Sequence, residues 1–248
     1  MIDEELKSKL RSLHLWGLAQ NWDHYLTTAQ KGNYSHTRIL KYIIDEEYKI
    51  KNDKSSKARL QRAHIPEQLV IETFPFDRQP KLNKKMILEQ YDSLAYMSKN
   101  CNVIFIGPTG SGKTGLATSF LIQAIQQGYN GRFIMFPDLV ELLYRSVADH
   151  SEDKVIKKFM AYDCLLIDEL GYVEVEPQQV GLFFILMHKR YKKKTTLITS
   201  NLGFSQWDSF LKNQQLTAAL IDRLTENSHV INMKNCISLR PKLNQLSS

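Results

Sequence analysis

The sequence predicts an α/β protein: a parallel sheet flanked by helices, behind a small all-helical N-terminal domain. Two patterns predict it. From residue 101 onward, short continuous apolar runs alternate with amphipathic segments, the signature of strands buried on both faces and the helices that cover them. Before residue 65 such runs are missing, and apolar residues recur instead at helical spacing. The chain then reads as a helical domain over 1–64, a linker over 65–82 and an α/β domain over 83–248.

In the first region, Leu6, Leu10 and Leu13 share one helical face, as do Leu18, Trp22 and Leu26. Gly32 closes that segment, and Ser35 is placed to cap a further helix carrying Ile39, Tyr42, Ile43 and Glu46. The linker IPEQLVIETFPFDRQP has three prolines in sixteen residues, which removes N–H donors and constrains the preceding residues. It reads as a surface wrap anchored by Phe74 and Phe76. Strands are expected at Val103–Ile106, Arg132–Phe136, Cys164–Ile167 and Thr195–Thr199, with helices at Leu116–Gln127 and Val180–Tyr191.

Hydrophobic residues make up 43% of the chain and charged residues 24%, enough for a proper core. No apolar run reaches the roughly 18 residues of a spanning helix. The charged start MIDEELKSKL has no signal-peptide core. A cytoplasmic protein without membrane contact is the expectation. Cys101, Cys164 and Cys236 lie far apart and suggest neither disulfides nor zinc. The net charge of +7 permits a polyanionic partner without demanding one.

The chemistry begins at GPTGSGKT, where Gly107, Pro108, Thr109, Gly110, Ser111, Gly112, Lys113 and Thr114 satisfy the P-loop pattern. The buried run NVIFI precedes it and a helical pattern follows, the context the motif requires. The glycines let backbone N–H groups converge on phosphates, and the helix N-terminus favours negative charge. Lys113 supplies a cation to the β- and γ-phosphates of ATP, and the Thr114 hydroxyl ligates magnesium. Fifty residues on, CLLIDE ends in Asp168 and Glu169, acids at the carboxyl end of a strand, where such sheets bind ligands. Asp168 can hold the magnesium shell, and Glu169 can activate a water for attack on the γ-phosphate. The run TTLITSN ends in Asn201, whose amide can orient that water, although a strand-ending asparagine by itself reads as a turn residue. Arg223 lies on an amphipathic helical pattern. Its spacing fits equally a surface ion pair with Asp222 or Glu226 and a finger reaching a neighbouring subunit's nucleotide.

GPTGSGKT, LLIDELGY, RYKKKTTLITSNLGFSQW, AALIDRL and ISLRP, in that order, resemble the IstB-type ATPases. These are AAA+ helper proteins encoded beside the transposase in one class of bacterial insertion sequences, and are similar to helicase loaders of the DnaC type. The likeness covers nearly the whole chain, and KYIIDEEYKIKNDKSSKARLQRAHIP resembles the family's helical N-terminal domain. It implies an AAA+ fold, a homo-oligomeric ring or helical assembly, ATP-dependent binding to duplex DNA and stimulation of a partner transposase. Lys113 and Thr114 match Walker A, Asp168 and Glu169 Walker B, Asn201 sensor 1, and Arg223 the arginine finger. Only 25 residues follow Arg223, too few for a full helical lid, which leaves Arg240 in a terminal strand as the late candidate for sensor 2. Thr109 and Gly115 also depart from the common family residues.

Two basic clusters could meet DNA phosphates. One holds Lys49, Lys51, Lys54, Lys57, Arg59 and Arg62. The other holds Lys189, Arg190, Lys192, Lys193 and Lys194 at a helix end, where cations are favoured in any case. Neither contains base-reading chemistry, so backbone contact is the expectation. A helicase loader and a small-molecule P-loop kinase are the competing readings. The kinase has no use for a water-activating Glu169 or a trans-acting Arg223.

Overall fold

A computed structural model describes residues 2–173, 175 and 177–240. The chain forms two compact units, Met1–Ala58 and Arg59–Ser248.

The first unit is helical. It holds α1 (Glu4–Ser12), α2 (Trp16–Lys31) and most of α3 (His36–Arg62). Asp3 caps α1 by accepting the Leu6 N–H at 2.6 Å, and Ser35 caps α3 through the Arg38 N–H at 3.3 Å. Leu10, Ala19, Tyr25 and Ala29 are buried, whereas Leu13 and Leu26 are exposed. Tyr42 receives the rings of Tyr25 and Tyr34 edge-on. The Glu47 carboxylate is buried and accepts the Leu18 N–H at 2.8 Å, satisfying a free donor in the first turn of α2.

The boundary between units falls inside α3 rather than at residue 64, because the last turn of α3 already belongs to the sheet. Arg59 Nε donates to the Ile125 carbonyl at 3.2 Å. Ala63 is fully buried, and its carbonyl accepts the Phe133 N–H at 2.8 Å.

The second unit continues with α4 (Lys84–Ser93), α5 (Ala95–Ser98), β1 (Asn102–Ile106), α6 (Lys113–Gln126), β2 (Gly131–Met135), α7 (Phe136–Ala148) and α8 (Glu152–Met160). Then come β3 (Cys164–Leu170), α9 (Pro177–Arg190), β4 (Thr195–Ser200), α10 (Trp207–Leu211), α11 (Gln214–Glu226) and β5 (Ser228–Asn232). The five strands form one parallel sheet in the order β2-β3-β4-β1-β5. Side chains alternate between its faces. Val103, Phe105, Cys164 and Leu166 join the core under α5 and α6, whereas Ile104, Ile106, Leu165 and Ile167 join the core under α7 to α11. Phe120 of α6 sits at the centre of the first core, ringed by Tyr91, Tyr96 and Phe105. Cutting such a phenylalanine to alanine costs about 3–5 kcal/mol.

Four sequence expectations are corrected here. The proline-rich stretch contributes to the core, burying Ile71, Phe76 and Leu82 through two short 3₁₀ turns. Phe136 opens α7 instead of ending a strand, with Pro137 in the helix's first turn, where its missing N–H costs nothing. The last strand, β5, lies at Ser228–Asn232, ahead of the terminal strand expected at Arg240. Arg240 is in no strand: Ile237–Arg240 crosses the loop after β1. Among the described residues, no helix is long and apolar enough to cross a membrane.

Candidate nucleotide-binding site

The loop Gly107–Gly112 leaves the carboxyl end of β1 and turns into α6, so the free N–H groups of that helix's first turn face the loop's concave side. Gly112 takes φ +94°, which strains any L side chain, and a Cβ there would also meet Phe74 at 2.6 Å and Leu239 at 3.1 Å. Gly107 is required by proximity: its Cβ would lie 2.6 Å from Met233, whose N–H bonds the Ile106 carbonyl. Lys113 Nζ donates to the Pro108 carbonyl at 2.8 Å. Burial lowers the Lys113 pKa, while Asp168 and Glu169 nearby oppose the shift.

Asp168 is buried, and its carboxylate gathers hydroxyls from two other elements. Thr114 Oγ1 lies 3.0 and 3.1 Å from its two oxygens, and Thr199 Oγ1 donates to Oδ1 at 2.5 Å. The Thr199 hydroxyl also accepts the Glu169 N–H at 3.0 Å. Walker A, Walker B and the end of β4 are thereby joined through one carboxylate. The register between β3 and β4 shifts between Ile167 and Leu170, and Glu169 takes φ +60°. A non-glycine residue in that region stores strain, which collects at functional sites. Here the bulge turns the Glu169 side chain onto the wall of the adjoining cavity.

That cavity measures about 590 Å³, within the usual range for a ligand site. Its lining combines the polar side chains of Lys113, Thr114, Glu169 and Asn201 with the apolar ones of Leu69, Val70 and Phe74. The lining therefore offers groups for a polyphosphate and for an apolar ring. Asn201 Oδ1 is buried with no hydrogen-bond partner, an acceptor available to something that enters the cavity. The nucleotide fits the residues present.

Ile237–Arg240 forms a further wall. Gln79, almost fully buried, donates from Nε2 to the Ile237 carbonyl at 2.7 Å and accepts the Ile237 N–H at 3.0 Å. The same Nε2 reaches the Ser111 carbonyl at 3.4 Å. The Leu239 N–H donates to the Gly110 carbonyl at 2.8 Å, and Arg240 follows into the cavity lining beside Lys113. Thr199, Gln79 and the Leu69–Phe74 wall were not found by sequence reasoning. The one available signal was the polar pair Thr199–Ser200 directly after the apolar Leu197–Ile198 of the same strand.

The remaining predicted residues lie apart from the cavity. Arg223, on α11, bonds neither Asp222 nor Glu226; its Nε donates to His188 Nδ1 at 3.1 Å and its Nη1 to the Ala219 carbonyl at 2.8 Å. Of the helix-end cluster, Arg190 is 1% exposed and cannot meet a polyanion. It donates to the Phe159, Tyr162 and Thr195 carbonyls and to Thr196 Oγ1. Burial lowers its pKa to about 10, so it stays charged at neutral pH. Lys192 pairs with Glu226 at 2.5 Å and Lys194 with Asp163 at 2.6 Å, leaving Lys193 exposed. Burial alone would raise the Asp163 pKa, but the Lys194 bond and the Asn130 N–H outweigh it, and the carboxyl titrates below its ordinary value. In α3, Lys54, Lys57 and Arg62 are exposed and Arg59 is half-buried.

The family model for IstB-like ATP binding proteins matches residues 8–247. An insertion-sequence IS5376 ATP-binding protein of Geobacillus stearothermophilus is 30% identical over 93% of this chain and 92% of its own length. One from insertion sequence IS232 of Bacillus thuringiensis subsp. berliner is 29% identical over the same shares. Among solved structures, a DnaC helicase loader superposes with a TM-score of 0.53 at 22% identity, over 60% of this chain and 87% of the loader. AMPPCP-bound DnaA from Aquifex aeolicus gives 0.55 at 18%, over 69% and 51%. At these identities the structural likeness is one of fold, and the fold is AAA+.

Proposed function

The chain belongs to the family of IstB-like ATP-binding proteins, and from that membership we propose that it is an AAA+ ATPase that assembles on duplex DNA and stimulates a partner transposase. The observation that carries the reading is the Asp168 carboxylate, buried between the hydroxyls of Thr114 and Thr199, with Glu169 on the wall of the same cavity. The relatives' origin in insertion sequences supports a transposase as partner. The likeness to a helicase loader is one of fold alone.

In this reading the N–H groups at the start of α6 receive the β- and γ-phosphates. Lys113 exchanges the Pro108 carbonyl for the phosphate oxygens, and Leu69, Val70 and Phe74 receive the base. Thr114 and Asp168 would hold magnesium, which would supply positive charge against the charge developing on the phosphates. Glu169 takes the proton of the attacking water. Asn201 Oδ1, without a partner in the free protein, accepts that water's other hydrogen and so fixes its direction. Arg240 adds positive charge beside Lys113 from the same chain. Arg223 reaches the γ-phosphate held by a second copy, in a ring or helical homo-oligomer, and stabilises the transition state there. Lys54, Lys57, Arg59 and Arg62 on α3, with Lys193 as a further exposed cation, meet the DNA backbone; Lys192 and Lys194 would first have to leave their carboxylates.

ATP turnover with and without duplex DNA, in wild type and Glu169→Gln, tests the reading. Duplex DNA should raise wild-type turnover, and the purified transposase should act faster on its DNA when the ATP-loaded protein is present. Glu169→Gln should bind ATP normally and hydrolyse it on the order of 100-fold more slowly, the usual worth of a positioned base. Wild-type turnover in that variant would remove Glu169 from its role. A transposase indifferent to the protein would overturn the helper function.

A further inference from the structure

Arg223 is held in an unusual way for a surface arginine. Phe184 and His188 lie one turn apart on α9, with ring planes 4° apart and centroids 6.2 Å apart. The guanidinium carbon sits 5.0 Å above the Phe184 ring, Nε donates to His188 Nδ1, and Nη1 donates to the Ala219 carbonyl. None of these partners is a carboxylate. The two acids within reach along its own helix leave it alone, and Glu226 is already paired with Lys192. A carboxylate would hold the arginine and cancel its charge. A ring face, an imidazole nitrogen and a carbonyl fix its direction and leave its charge available to an outside anion. Among the described residues Nη2 has no partner, so one edge of the fork remains free for that anion.

The geometry points to His188 as a positioning residue: from its place beside Phe184 it aims Arg223 at the terminal phosphate of ATP bound to a second copy of the chain. This rests on the reading of Arg223 as a finger acting in trans. Because Nδ1 accepts from Arg223, the imidazole carries its proton on Nε2, and the arginine stem cannot turn without breaking that bond. The support beneath is rigid. α9 ends at Arg190, whose buried guanidinium fastens the helix end to the segment after α8 and to the start of β4. The shelf that holds the finger thus belongs to the helix following the Walker B strand.

The test uses full-length chains in mixed assemblies with DNA. Lys113→Ala and Arg223→Ala are first mixed; recovery of DNA-stimulated hydrolysis establishes the finger in trans. No recovery, with co-assembly demonstrated, removes the finger and this proposal with it, before His188 is touched. His188→Ala alone should then keep its affinity for ATP and its KM while kcat falls about 10- to 100-fold, the cost of misdirecting a catalytic group by about an ångström. His188→Asn, which restores a neutral acceptor, should recover most of that loss. The deciding arms add His188→Ala to one partner of the complementing pair. On the Lys113→Ala chain, which donates the finger, it should abolish the recovery. On the Arg223→Ala chain, which holds the nucleotide, it should leave the recovery intact. Loss in both arrangements would make His188 a general support of the fold, and loss in neither would leave it without a role; either result overturns the proposal.

Discussion

At Thr199 a single hydroxyl makes two bonds, donating to the Asp168 carboxylate and accepting the Glu169 N–H. It therefore holds the Asp168 carboxylate and the Glu169 backbone in one frame. Thr199→Val keeps the shape and removes both bonds. A hydrogen bond to a charged group is worth about 1.5–3 kcal/mol, so kcat should fall about 10- to 100-fold with ATP affinity little changed, as read from turnover and nucleotide titration. An unchanged kcat would mean that Asp168 and Glu169 are fixed without it. The sequence could announce Lys113, Thr114, Asp168 and Glu169 because their residue types and spacing follow from phosphate chemistry. Thr199 was hidden because a threonine in a strand is an ordinary β-former. Arg223 was readable as far as its helix. Its true neighbours lie 35 and 39 residues away in sequence, at His188 and Phe184, beyond any local pattern.

Among the elements, the alternation of strands and helices was legible because parallel strands buried on both faces must be continuously apolar. The stretch over residues 65–82 was read less well. Proline correctly ruled out a long helix there, but not burial, and 3₁₀ turns put Ile71 and Phe76 into the core all the same. Gln79 has the larger consequence, since its amide ties this stretch both to Ile237 and to the phosphate loop at Ser111. Gln79→Ala removes both hydrogen bonds to the Ile237 backbone, each worth about 0.5–1.5 kcal/mol in unfolding free energy. The local effect should exceed the global one. Amide exchange at Ile237 and Leu239 should speed up more than exchange in β1, and ATP affinity should drop. Equal acceleration everywhere would show that Gln79 supports the fold at large and not the wall of the site. The basic run at the end of α9 carries the opposite lesson: five cations close in sequence are split by the fold into a buried anchor, two ion pairs and exposed lysines.

For the molecule as a whole, the net charge of +7 allows a polyanion, and Lys54 and Lys57 are among the exposed cations of α3 that the proposed DNA contact would use. Contact with phosphates alone predicts affinity that falls steeply with salt and ignores sequence. Lys54→Glu combined with Lys57→Glu should weaken binding to unrelated duplexes alike and flatten the slope of log K against log salt by about 1 per lost contact. A loss confined to one sequence, or an unaltered slope, would take α3 off the DNA. At this scale the family was legible from the order of motifs, and a helical region ahead of the α/β one from the change in periodicity. Composition shifts near residue 65, but packing changes within α3, and Ala63, just past its end, is already in the sheet's core.

The bond from Leu239 to Gly110 and the approach of Met233 to Gly107 also set an order of events during synthesis. The sheet's inner strands and α6 can pair once β4 has left the ribosome. The phosphate loop acquires its last wall only when residues well beyond β5 have emerged, a contact that spans more than half of the chain. Closing so long a loop is slow relative to local pairing. A nascent chain therefore completes its sheet before it can hold ATP firmly, and the nucleotide cannot act as a template for its folding. Firm nucleotide binding should therefore wait for the segment around Leu239 to reach Gly110.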